Sequence, residues 1–138
     1  MAAAGWFFFF IGCASQDDSA LYPAVGRVQL ANGQGVGDAV IVFTPSGTSG
    51  ESRMASQAQT DGEGLFQMET YVGDNQYELG IPAGKYDVAV TKLEAVTDMR
   101  TRPRNLLPAK YESPDTTDLH AHVRERDDNE FSFQLKLD

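Results

Sequence analysis

The final stretch of the chain alternates strictly: Phe131, Phe133, Leu135 and Leu137 are apolar, while Glu130, Ser132, Gln134 and Lys136 are polar. A period of two places successive side chains on opposite faces of a pleated strand, so this segment reads as a strand with its apolar side inward. The same period recurs upstream. Val28 and Leu30 oppose Arg27 and Gln29 within Val25–Leu30, and Phe66 and Met68 share a face within Leu65–Thr70. Tyr86, Val88 and Val90 alternate with Lys85, Asp87 and Ala89 in Lys85–Lys92, and Leu119, Ala121 and Val123 alternate with His120, His122 and Arg124. Ala39–Phe43 is apolar on both faces, the mark of a central strand, and a weaker pattern runs over Ala55–Gln59. No helical period competes with these.

The connecting segments support that reading. Asn32-Gly33-Gln34-Gly35, Pro45-Ser46-Gly47-Thr48-Ser49-Gly50, Asp61-Gly62-Glu63-Gly64 and Pro82-Ala83-Gly84 are turn chemistry. Gly and Asn tolerate positive φ, Pro presets φ, and Asp hydrogen-bonds its own backbone. Seven short strands within one domain's length predict an all-β fold, a seven-stranded Greek-key sandwich over residues 24–138.

The part before residue 24 has a different character. Ala2–Ile11 is an uncharged, largely apolar run of ten residues. As a helix it spans about 15 Å, roughly half a bilayer's hydrocarbon core, so it has the length of a signal-peptide core rather than a membrane span. Cys13, the only cysteine of the chain, follows at once, and Gln16-Asp17-Asp18-Ser19 is polar linker. A sandwich without internal disulfides has no structural use for that thiol. Residues 1–12 are therefore read as a signal peptide and residues 13–23 as a modified N-terminus and linker.

Phe10-Ile11-Gly12-Cys13 resembles a bacterial lipobox, which implies lipidation of Cys13, export, and a membrane-anchored protein facing the periplasm or cell surface. Phe10 stands where such a motif usually has Leu, and no Lys or Arg precedes the apolar run, as expected if translation begins upstream of Met1. Ala14 and Ser15 carry no acidic retention signal, which favours the outer membrane.

Three segments resemble the carboxypeptidase regulatory-like domain, a transthyretin-like β-sandwich. They are Val25-Gly26-Arg27-Val28 with Gly37–Pro45, then Thr60–Phe66, then Ile81–Val88. Leu107-Pro108-Ala109-Lys110-Tyr111 and Asn129–Leu135 add a likeness to small bacterial lipoproteins built from one such domain. The resemblance implies a non-enzymatic accessory or structural module. Some transthyretin-like proteins are hydrolases that end in Tyr-Arg-Gly-Ser; this chain has Leu135-Lys136-Leu137-Asp138 instead.

The residues offer little chemistry of their own. The sequence shows no serine–histidine–carboxylate pattern, no phosphate loop and no cofactor motif, so no catalytic or cofactor-binding residue is assigned. Asp61 and Glu63 lack the ligand spacing of a calcium loop. His120 and His122 fall on one face of a strand, where two imidazoles can share a metal, but a metal normally needs further ligands. They are read as solvent-facing polar residues, and no metal site is assigned. Eleven basic against twenty acidic residues leave a net charge of −9, which disfavours nucleic acid as a partner. Within that acidic chain, Arg100, Arg102, Arg104 and Lys110 cluster in the long connection 93–115. Long connections inside compact domains are often functional. The connection is expected to drape Leu106, Leu107 and Tyr111 over a sheet edge, and its basic residues are candidates for contact with an acidic envelope protein or glycan. Tyr71 and Tyr77 are the candidate sugar platforms for the alternative reading, a carbohydrate or small-ligand module.

Overall fold

A computed structural model describes residues 20–46 and 56–137. The proposed signal peptide, Cys13 and most of the linker lie outside the described residues, as do Ala55 and the Gly47–Gly50 part of its turn. The described chain is all-β, with two sheets facing each other across one core.

The smaller sheet is built from three strands: β1 (Ala24–Leu30), β4 (Leu65–Gln67) and β9 (Asn129–Leu135), in the order β4-β1-β9. β1 and β9 run parallel and stay in register from Ala24↔Asn129 to Leu30↔Leu135. The larger sheet has the order β6-β5-β3-β2-β7-β8 and is antiparallel throughout. Its strands are β2 (Val40–Pro45), β3 (Ser56–Gln59), β5 (Glu69–Gly73), β6 (Gln76–Leu79), β7 (Gly84–Thr91) and β8 (His120–Val123).

The strands expected from the sequence are all present, and among the described residues there are nine rather than seven. Leu65–Thr70 is two strands, because the chain changes sheets at Met68. The Met68 N–H donates to Ala24 O in the smaller sheet at 2.8 Å, while its carbonyl accepts from Gly80 N on the larger sheet's side at 2.9 Å. The alternation survives the change because both sheets face the same core: Phe66, Met68 and Thr70 are all buried. The other addition is β6, which pairs with β5 through a turn whose Asp74 and Asn75 both have positive φ, 52° and 58°. That is the backbone twist a tight hairpin favours.

Inside, Phe43 on β2 makes edge contacts with Phe131 and Phe133 of the facing sheet, at centroid separations of 5.8 and 6.1 Å. Phe66 stacks on Phe133 at 6.0 Å. Gly26 makes room for this packing: a Cβ there would lie 2.4 Å from Phe131 O and 2.6 Å from Phe66 Cζ. β2 is central, as its apolar composition implies, yet only one of its faces is buried; Ile41 and Phe43 point inward and Val40 is exposed. Leu137 is also exposed, because β9 ends at Leu135 and the alternation beyond it faces no core.

Most buried polar groups are paired; among the described residues Asn105 Nδ2 is buried without a hydrogen-bond partner. Thr70 Oγ1 donates to Gly80 O at 2.8 Å and therefore accepts from Ser56 Oγ at 2.9 Å. Asn129 is 2 % exposed; it accepts from Arg124 N and donates to Pro23 O, Arg124 O and Arg126 O. This one side chain ties the β8–β9 turn to the segment leading into β1. Asp61 Oδ1 accepts from Glu63 N and Leu65 N, the self-capping expected of that turn.

Candidate functional site

Two surfaces concentrate the side chains capable of chemistry or contact. The first lies on the outer face of the larger sheet. Alternation turns Tyr86, Val88, Ala121 and Val123 inward, so Lys85, Asp87, His120 and His122 point outward. Cross-strand register sets Asp87 opposite His120 and Lys85 opposite His122. Asp87 Oδ1 accepts from Ser46 Oγ and lies against His120 Nδ1, both at 2.9 Å. Ser46, Lys85, Tyr86, His120, Ala121 and His122 line a shallow concavity there.

This arrangement is not a hydrolase triad. In a triad the histidine must bond the nucleophile in order to take its proton. Here the carboxylate stands between the other two, and Ser46 and His120 both spend their bonds on it. Among the described residues no group of three or more His, Cys, Asp or Glu side chains converges as a metal cage.

The second surface is the connection after β7, which has two halves. Leu93–Asn105 forms an isolated bridge, Glu94 N–H donates to Arg104 O at 2.9 Å, and Leu106 N–H donates to Lys92 O at 2.7 Å. Residues 93–106 are therefore a projecting hairpin, turned at its tip by Asp98, which accepts from Arg100 N at 2.9 Å. Leu93, Val96, Met99 and Leu106 are exposed on it, Met99 fully. Leu106 is thus not part of the packing expected of it, because the hairpin lifts it off the sheet.

The four basic candidates do not act as one cluster. Arg104 pairs with Glu94 at 3.4 Å. Lys110 lies beyond the hairpin, 4.8 Å from the Tyr111 ring centroid and 3.4 Å from Asp118. The neighbouring Tyr111 side chain, supported by the charge of Asp118, holds the Lys110 pKa above the ordinary lysine value. Arg100 and Arg102 are exposed and form no ion pair among the described residues.

The hairpin's position follows from the strand directions. Tyr22 and Ile81 exchange hydrogen bonds, so the segment leading into β1 sits at the N-terminal end of β7. The hairpin leaves from the other end, after Thr91. β7 has eight residues, so the two lie about 25 Å apart along the sheet. Arg100 and Arg102 thus occupy the pole opposite the one at which the chain enters the domain.

Tyr71 and Tyr77 are exposed cross-strand partners on β5 and β6, with centroids 5.3 Å apart and planes at 63°. Rings at that angle offer no common flat platform, and Tyr71 Oη is used to accept from Asn75 N in the hairpin turn. What the sequence reading missed is the role of Asp87 and Ser46. The outward rank of Asp87 was legible from alternation, but its register with His120 was not. The β5–β6 hairpin had a readable signal in Gly73-Asp74-Asn75, flanked by tyrosines.

No family model matches the chain, and neither a curated protein nor a solved structure is significantly similar to it.

Proposed function

We propose that this chain is a non-enzymatic cell-envelope protein, lipid-anchored through Cys13, whose sandwich holds the 93–106 hairpin out for contact with another envelope protein. In this reading the sandwich is the seven-strand Greek-key core of a carboxypeptidase regulatory-like, transthyretin-like domain, with β5–β6 as an added hairpin. The observation that carries the reading is the hairpin's place. It combines Arg100 and Arg102, unpaired among the described residues, with exposed Val96 and Met99, at the pole opposite the segment that leads into β1. Arginine beside apolar side chains is the composition of contact surfaces, and cations within a chain of net charge −9 select an acidic partner.

Two measurements test the parts separately. Intact mass of membrane-extracted protein is expected to show cleavage before Cys13 and added acyl chains, and Cys13→Ala is expected to leave the membrane fraction. In-cell cross-linking is expected to capture an acidic envelope protein with the parent chain and to lose it with the Arg100→Ala, Arg102→Ala, Arg104→Ala triple variant. Retention of every cross-linked partner by the triple variant overturns the contact reading; glycan capture in its place favours the carbohydrate module.

A further inference from the structure

We propose that His120 and His122 form a two-imidazole site for a borderline divalent transition metal ion, copper(II) before zinc, with Asp87 as its positioning residue. The two side chains sit on one face of β8, separated by a single inward residue, Ala121. Strand rise puts their Cα atoms about 7 Å apart, close enough for both rings to reach one ion. Both are exposed beside a shallow concavity, so an ion can approach from solvent.

Asp87 distinguishes this pair from two surface histidines. A carboxylate only accepts hydrogen bonds, so the 2.9 Å contact with His120 requires the proton on Nδ1. In the neutral ring this leaves the Nε2 lone pair available to an ion. A carboxylate holding one ring nitrogen while the other binds metal is the usual outer-shell support of metal-ligating histidine. Asp87 is itself held, by Ser46 Oγ at 2.9 Å and by its place within β7. The ring orientation is therefore set before any ion arrives.

The surroundings select the class of ion. No third His, Cys, Asp or Glu joins the pair among the described residues, so water completes the coordination. Among the described residues no oxygen cage is present, which disfavours calcium and magnesium. Imidazole nitrogen suits copper and zinc, and at a given nitrogen site copper(II) binds more tightly.

The test is a copper(II) titration of the full chain carrying Cys13→Ser, so that no thiolate competes, followed by calorimetry and electron paramagnetic resonance. One equivalent is expected to bind with nitrogen hyperfine structure. His120→Ala and His122→Ala are each expected to weaken binding at least about tenfold, and Asp87→Ala about tenfold through loss of the acceptor that orients the ring. The histidines are exposed, so the metal-free melting temperature should match the parent's; that check separates lost ligation from lost folding. Unchanged affinity and spectrum in the His120→Ala, His122→Ala double variant overturns the site. Unchanged affinity in Asp87→Ala overturns the positioning role, and binding of half an equivalent with dimerisation overturns a site complete within one chain.

Discussion

The connection between β7 and β8 divides into two stretches of similar length that obey opposite rules. Residues 93–106 project into solvent, carrying exposed Leu93, Val96, Met99 and Leu106. Residues 107–119 turn back and close the sandwich, burying Leu107, Tyr111, Thr117 and Leu119. Both halves contain apolar side chains and prolines, so composition does not separate them. Hydrogen bonding to the sheets does. Tyr111 sits on the short 3-10 turn Ala109–Glu112, is 1 % exposed, and accepts from Lys136 N at 2.9 Å just past the end of β9. Thr117 Oγ1 donates to Val88 O at 2.7 Å and accepts from Leu119 N. The hairpin bonds mainly to itself, joined to the sheet through Leu106 N–Lys92 O and Lys92 N–Asn105 Oδ1. The second half is a core element without regular strand structure; the first is a surface presented by it.

Substitutions separate the two stretches. Tyr111→Ala should have the largest effect, about 3–5 kcal/mol, because it opens a ring-sized cavity between the sheets. In a domain of this size that is a fall in melting temperature of at least about 12 °C by calorimetry. Thr117→Val should cost about 1–3 kcal/mol in denaturant unfolding, since it keeps the volume but strands Val88 O and Leu119 N. Tyr111→Phe isolates the hydroxyl, and loss of its bond to Lys136 N should cost about 1 kcal/mol in the same assay. Met99→Ser on the hairpin should move stability by no more than about 0.5 kcal/mol in either direction. A destabilisation by Met99→Ser comparable to that of Thr117→Val would mean that the two halves form one packed unit, and the comparison would collapse.

Much of the fold is legible in the residue pattern. The last strand, Lys85–Lys92 and Leu119–Val123 follow their alternation, and the Asp61 and Asn32 turns use the side-chain bonds their residues suggest. β6 escaped because all four of its residues are exposed, so it carries no inward rank to detect. Leu137 misled for the converse reason: a period of two can run on past the last residue that faces a core.

The candidate surfaces were legible to different depths. Alternation alone puts His120 and His122 on one outer face, and composition alone singles out Arg100, Arg102 and Arg104. Neither reveals that Asp87 meets His120, that Glu94 takes Arg104, or that Tyr111 and Asp118 hold Lys110.

The order of residues alone settles that the chain makes short strands, which side of most of them faces inward, and that β2 lies in the interior of a sheet. Those are local properties, written in a period of two and in turn residues whose φ preferences act over a few positions. The exchange of the chain between sheets at Met68, the parallel pairing of β1 and β9, and the bond from Lys136 N to Tyr111 follow from tertiary packing instead. Backbone hydrogen bonds are nearly indifferent to side-chain identity, so the choice of strand partners rests on how distant apolar faces pack together. No local pattern records that choice.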